Sequence, residues 1–199
     1  GLAARADDAD GEAGIRMAER PALDLLSLRG DSDGKAFLAA ARDGLGFDLP
    51  TTPNSTAGKA AVTAFWLGPS EWLLVSAEPV AALAKALSAA LGKRHYALNE
   101  VSDSRTVLLL AGPRARDLLA KACSLDLHPS VFGPGDCAQS SLARAPMLLH
   151  QLAEDRDAGP TYEIYVHRSL AEYAWRWLEV AAAEYGFRMV EPGTLAGGV

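Results

Sequence analysis

One order of segments occurs twice along these 199 residues, and a chain that repeats itself is constrained to fold each copy into the same kind of unit. An apolar run ending in S-L-R-G (Ser27 to Gly30) leads into a helical stretch, F-L-A-A-A-R-D-G-L-G-F, and then into D-L-P at Asp48 to Pro50. A second apolar run, L-L-L-A-G at Leu108 to Gly112, leads into L-L-A-K-A-C and then into D-L-H-P at Asp126 to Pro129. Each copy continues with a strand pair. The first pair is A-V-T-A-F-W-L-G with E-W-L-L-V-S, and the second is A-P-M-L-L-H-Q-L-A with Y-E-I-Y-V-H-R. Each copy ends in a helix, from Pro79 in the first and from Leu170 in the second. A period this long marks a duplicated supersecondary unit rather than a solenoid. The expectation is an α+β fold of two repeated βαββα halves, with antiparallel sheets and helices packed on one side of each.

The boundaries follow from composition. Residues 1–19 are small, acidic and dotted with glycine, and such a segment buries too little apolar surface to order itself alone. The end of the chain, E-P-G-T-L-A-G-G-V, reads the same way. The expected layout is a flexible acidic segment over 1–19, one domain over 20–188 and a flexible tail over 189–199. The two halves of the domain cover about 20–93 and 94–188.

Local signals place the helix ends. Asp33 is a candidate cap for the first helix and Gly44 or Gly46 its stop. Pro79 and Pro113 stand at favoured first helical positions. The helix from Pro79 presents Val80, Leu83, Ala84, Leu87 and Leu91 on one side. In the last helix Ser169 and Glu172 fit a capping box, and Leu170, Tyr173, Ala174, Trp177, Leu178 and Ala181 form the expected buried stripe. Trp175 falls off that stripe, which leaves it either at an interface or packed on a neighbouring element of the same chain. Trp66 and Trp72 flank the L-G-P-S-E corner, where packing around a hairpin is the default reading.

Several function classes are excluded or left without a motif. The formal net charge is −6, and nucleic-acid binding needs a basic face to displace counterions. No apolar run approaches the roughly 20 residues that cross a bilayer, and no secretory pattern opens the chain. Only Cys123 and Cys137 are present, too few for a disulfide framework or a cysteine-based zinc site, so reduced thiols in a cytoplasm are expected. His95, His128, His150 and His167 lie on different segments without metal-ligand spacing. There is no G-x-G-x-x-G, G-K-[ST] or G-x-S-x-G.

The most suggestive polar cluster is Asp103, Ser104 and Arg105. As a site, its carboxylate or guanidinium would hold a polar ligand at a sheet edge. As structure, it is a turn in which Asp103 bonds local backbone N–H groups, and the second reading is favoured. Gly112-Pro113-Arg114 resembles an anion site at a helix N-terminus but lacks the glycines of a phosphate loop. Asp24, Asp48 and Asp126 stand where capping is the commoner role. Neither catalytic, cofactor-binding nor metal-binding residues are assigned.

Two stretches carry a family resemblance. W-L-G-P-S-E-W-L-L-V-S (Trp66 to Ser76) and the run from Val101 to Pro129, with F-G-P-G-D-C-A-Q-S-S-L-A-R-A-P-M-L-L-H-Q after it, resemble the gamma subunit of heterotetrameric sarcosine oxidase. The helix R-S-L-A-E-Y-A-W-R-W-L-E-V-A-A-A-E-Y-G fits it too, and the match runs from about Arg20 to Gly186. The gamma subunit of N-methylglutamate dehydrogenase is similar. More distantly, Arg105, Gly112, Pro113, Ala115 and Leu119 match the spacing of a segment in the aminomethyltransferase folate-binding family. The acid which that family places before its arginine falls at Val101 here, with Asp103 displaced, and this counts against retained folate binding. The resemblance implies a folate-binding-domain-like, non-catalytic subunit beside alpha, beta and delta partners. Such oxidases demethylate sarcosine to glycine, give hydrogen peroxide and pass the one-carbon unit to tetrahydrofolate. FAD, FMN, NAD and tetrahydrofolate are then expected in the partner subunits and none on this chain alone. The alternatives are the N-methylglutamate dehydrogenase complex and a free-standing folate-dependent transferase.

Overall fold

The computed structural model describes residues 13–21 and 23–195. The chain divides into two compact units, a central one of Leu23–Ser102 and a flanking one built from the segments on either side. Both are mixed α+β, with sheets that are antiparallel except at one strand pair.

The central unit begins with β2 (Asp24–Gly30) and α1 (Lys35–Leu45). Three strands follow: β3 (Thr56–Lys59), β4 (Val62–Gly68) and β5 (Glu71–Ser76). Helix α2 (Ala81–Leu91) and strand β6 (Tyr96–Glu100) complete it. The sheet order is β3-β4-β5-β2-β6. Leu26 and Leu28, two apart on β2, point to one side and meet Phe37, Ala40 and Ala41 of α1 and Leu87 and Leu91 of α2 in one core. Phe37 stacks on Trp72 at 5.9 Å, and the Trp72 indole N–H donates to Pro50 O at 2.7 Å. The D-L-P segment thus fastens the loop after α1 to the sheet. Gly30 is required there: a Cβ on it would stand 2.2 Å from the Phe37 ring.

In the flanking unit β1 (Ile15–Glu19) lies between β7 (Arg105–Ala111) and β11 (Phe187–Met189), antiparallel to the first and parallel to the second. After β7 come α3 (Ala115–Ala120), β8 (Cys137–Leu142), β9 (Ala145–Asp155), β10 (Gly159–His167) and α4 (Ala171–Ala182). The order is β11-β1-β7-β10-β9-β8. The L-L-L run of β7 serves both faces of the sheet. Leu108 and Leu110 join the core under α3 and α4, while Leu109 packs with Ala18, Ala111 and Leu195 on the other face. A strand covered on both sides reads as an unbroken apolar run.

Several expectations are corrected. Each helix pair encloses three strands, since β3 and β8 lie outside the segments the repeat marked, so the order is βαβββα rather than βαββα. Strand β6 pairs with β2, so the boundary falls after Ser102 and not between 93 and 94. Ile15–Glu19, expected to be flexible, is a strand because partners distant in sequence supply bonds on both of its sides. The rest of the 1–19 call, residues 1–12, and residues 196–199 of the tail lie outside the described residues. Within the tail, Met189 belongs to β11 and Leu195 is buried.

The caps also differ. Gly34, not Asp33, is the N-cap of α1, and Gly46 ends it at φ 80. Val80 caps α2, and its N–H is taken by the Asp24 carboxylate at 3.0 Å, a bond from a remote strand that no local pattern reveals. Arg114 is the N-cap of α3, with Pro113 just before it. The Ser169–Glu172 capping box does not form: a 3-10 turn, Arg168–Leu170, precedes α4, and Glu172 pairs with Arg176 at 2.5 Å. The buried stripe of α4 is Ala171, Ala174, Trp175, Leu178, Ala181 and Ala182, and Tyr173 is 39% exposed. The helix turns its largest side chain inward, which is possible because the Trp175 indole N–H reaches Glu179 Oε1 at 2.9 Å, one turn on.

Candidate functional site

The polar residues singled out in the sequence do not converge. Asp103 is fully exposed in a 3-10 turn, Ser102–Ser104, and its nearest cation is Arg168, 3.5 Å away. Arg105 opens β7 opposite His167. Arg114 lies over the Tyr185 ring, 4.9 Å from its centroid, and pairs with Asp117, so it does not frame an anion site with Gly112. Asp126 accepts from His128 N–H at 2.9 Å, a local turn. Asp48 stands 3.9 Å from Arg42. Trp66 and Trp72 are opposite each other across the β4–β5 hairpin. Among the described residues no group of three or more His, Cys, Asp or Glu side chains is placed to hold a metal ion.

What the flanking unit does assemble is a buried polar cluster on β9 and β10, scarcely visible in the sequence. Glu163 alternates with Tyr162 and Ile164 along β10, so its side chain leaves the helix-covered core and enters the opposite face, where it is 1% exposed. Its Oε2 accepts from the Tyr165 hydroxyl at 2.8 Å and from His150 Nδ1 at 2.9 Å, and Arg20 pairs with its Oε1. Burial first, and the Arg20 charge second, lower the His150 pKa to about 4. At neutral pH the imidazole is therefore uncharged. Its contact with Glu163 is then a hydrogen bond from Nδ1–H rather than an ion pair, because a carboxylate can only accept. Burial likewise pushes the Tyr165 phenol upward and keeps it a donor. Both hydrogen bonds fall on Oε2, and Oε1 meets only the charge of Arg20. Such a network fixes the geometry of the side chains that share it. The one clue in the sequence was an acid in the middle of the apolar run Y-E-I-Y-V.

A second cluster surrounds Arg116, whose Nη1 and Nη2 bind Glu154 at 2.8 and 2.5 Å while Nε donates to Leu127 O. Gln151 Nε2 donates to the same carboxylate at 2.6 Å. The hydrogen bonds from Arg116 are the main reason why the Glu154 pKa is lowered. Tyr162, opposite Gln151 in the register, has its phenol pushed up to about 12, chiefly by burial. These groups stitch the D-L-H-P loop to β9.

Open space lies elsewhere. The central unit has a cleft of about 620 Å³ lined by Arg29, Asp31, Ser70, Glu71, His95 and Tyr96 among others. The flanking unit has one of about 440 Å³ at the Gly112–Pro113 corner, with Arg16 and Arg188 on its wall, and one of about 390 Å³ beside Trp175. None of the three includes Glu163 or His150.

Residues 29–184 match the model of the family described as "Sarcosine oxidase, gamma subunit family". This chain belongs to that family. It is 37% identical over 186 residues to the sarcosine oxidase gamma subunit of Corynebacterium sp. (strain U-96), covering 92% of this chain and 86% of that one. Its structure matches a chain of the heterotetrameric sarcosine oxidase from Corynebacterium sp. U-96, solved in complex with pyrrole 2-carboxylate. The TM-score there is 0.80 at 33% identity, over 91% of this chain and 90% of that chain. A glycine cleavage system aminomethyltransferase T from Bartonella henselae shares the fold, with a TM-score of 0.63 at 14% identity. That match covers 89% of this chain but 48% of the transferase, so the gamma chain spans about half of its length.

Proposed function

We propose that this chain is the non-catalytic gamma subunit of a heterotetrameric sarcosine oxidase, assembled with alpha, beta and delta subunits. That enzyme converts sarcosine to glycine with release of hydrogen peroxide and transfers the one-carbon unit to tetrahydrofolate. FAD, FMN, NAD and tetrahydrofolate are held by the partner subunits, and the assembly works in the cytoplasm. The observation that carries this reading is the match along nearly the whole chain, at 37% identity in sequence and a TM-score of 0.80 in structure, to the gamma subunit and to a chain of the heterotetramer from the same organism.

A structural role is supported by how the polar residues are used. Glu163, His150 and Tyr165 satisfy one another, and Arg116 and Glu154 brace a loop. Folate fits this chain poorly. Val101 stands in the place of the acid that precedes the arginine in the transferases, and Asp103 is turned out to solvent beside Arg168. No step of the reaction is assigned to this chain.

The two units read as copies of one ancestral βαβββα unit. In support, β2-α1-β3-β4-β5-α2 and β7-α3-β8-β9-β10-α4 run in the same order, and their sheets share the sequence of neighbours β3-β4-β5-β2 and β8-β9-β10-β7.

The test of the non-catalytic role is calorimetry and absorbance on the full chain. Expected are no flavin spectrum and no micromolar binding of tetrahydrofolate, with sarcosine-dependent peroxide formed only by the co-expressed complex. Micromolar folate binding by the chain alone would favour an aminomethyltransferase-like role instead.

A further inference from the structure

We propose that the open edge of β6 receives an extended segment of a partner subunit as an added strand. The inference rests on the reading that this chain assembles with other subunits. Val101 N–H donates to Leu25 O at 2.8 Å, and the register from Leu26↔Glu100 to Gly30↔Tyr96 continues from that bond without a shift. Antiparallel strands alternate between residue pairs that exchange hydrogen bonds and pairs that do not. Asn99 and Ala97 therefore bond to β2, and the main-chain N–H and C=O groups of Leu98 and Glu100 point away from it. β6 is the last strand in its sheet order, so no strand of this sheet meets those groups. Ala97, Asn99 and Glu100 are exposed.

Among the described residues the other sheet edges are guarded. β3 has four residues, ends in Lys59 and runs into Ala60 at φ 53. β8 carries the loop through Ala122 and Cys123: Ala143 N–H donates to Ala122 O at 3.0 Å, and Cys123 Sγ lies 3.7 Å from Ser140 Oγ. β11 has three residues. Short strands, lysines and covering loops are the usual ways of blunting an edge against strand addition. β6 has five residues with no proline, no lysine and no bulge. In the flanking unit the strand beyond β7, which is β1, is itself covered by the parallel strand β11. The strand in the matching place of the central unit has no such cover.

The edge also carries a charge pattern. Lys93, Arg94 and His95 precede it and Glu100 ends it. The cleft of about 620 Å³ opens beside the Tyr96 end, lined by His95, Tyr96, Ser70 and Asp31 and by Arg29 paired with Glu71. The segment that fits is extended, bonds through its main chain to Leu98 and Glu100, and bears acidic side chains at the end lying beside Lys93, Arg94 and His95.

Hydrogen exchange read residue by residue, by fragmentation mass spectrometry, on the full chain and on the co-expressed complex tests this. In the free chain, Leu98 and Glu100 amides are expected to exchange fast, and those of Ala97 and Asn99 slowly. In the complex the Leu98 and Glu100 amides are expected to slow at least tenfold. E100P removes one outward N–H and leaves the β2 ladder intact, and it is expected to weaken co-elution at least tenfold while the free chain keeps its melting temperature. A complex in which Leu98 and Glu100 exchange as they do in the free chain overturns the proposal and leaves the assembly reading standing. Failure of any complex to form overturns both. Slow exchange at Leu98 and Glu100 in a self-associated free chain makes a second copy the occupant and also overturns it.

Discussion

Glu163 is the residue whose removal discriminates best between a braced interior and a working site. It is 1% exposed and takes bonds from Tyr165, His150 and Arg20. E163A leaves Arg20 without its carboxylate and two donors without an acceptor, and breaking a buried pair from one side costs about 3–5 kcal/mol. A melting temperature lower by about 6–20 °C is the expected result in a thermal scan. His150 adds a pH dependence of defined sign. Its pKa falls from 6.5 in the unfolded chain to about 4 in the folded one, so between those values the unfolded state binds more protons. Its contribution to stability is full above pH 6.5 and is lost as pH drops toward 4, on the order of 3 kcal/mol in all. Urea midpoints should fall across that window in the parent and stay flatter there in H150N. Of the two readings left open for Trp175, packing within the chain holds, and Tyr173 rather than Trp175 lies outside the buried stripe. Its burial is possible because the indole N–H donates to Glu179 Oε1. W175A is accordingly expected to lower stability by about 3–5 kcal/mol, seen as a shifted urea midpoint in the free chain.

At the scale of elements, the Gly112–Pro113 corner shows how closely the strands of the flanking unit are drawn together. Gly112 has φ 133 and Gly159 φ 76, and a Cβ on Gly159 would stand 2.6 Å from the Gly112 carbonyl. G159A is expected to cost about 2 kcal/mol or more from the backbone conformation and the contact together, measured as a lower melting temperature. Its effect should exceed that of an alanine at Gly68, where nothing lies within 4 Å and φ is not positive. Much of this level was legible beforehand. The P-S turn between two apolar runs marked the β4–β5 hairpin, and the 3.6-residue spacing of Val80, Leu87 and Leu91 marked the buried side of α2. What escaped depends on distant partners. β1 is ordered by β7 and β11, α2 is capped by Asp24 on β2, and β3 and β8 are strands only because β4 and β9 lie beside them. The repeat itself hid β3 and β8, since neither copy gave the other a hint of a strand there.

For the whole molecule, the sequence pointed to a subunit more firmly than to a site. Asp103, Ser104 and Arg105 looked like chemistry and lie at the start of β7 without converging on a cleft, whereas Glu163, His150 and Tyr165, which do converge, are buried and bonded to one another. The family membership names the assembly, that of sarcosine oxidase. The most direct measurement is size-exclusion chromatography of the chain co-expressed with alpha, beta and delta sarcosine oxidase subunits, with one partner tagged. Co-elution at one copy per complex, with peroxide production from sarcosine in the same fractions, is the expected result. Elution of this chain apart from a complete and active alpha, beta and delta assembly would contradict it.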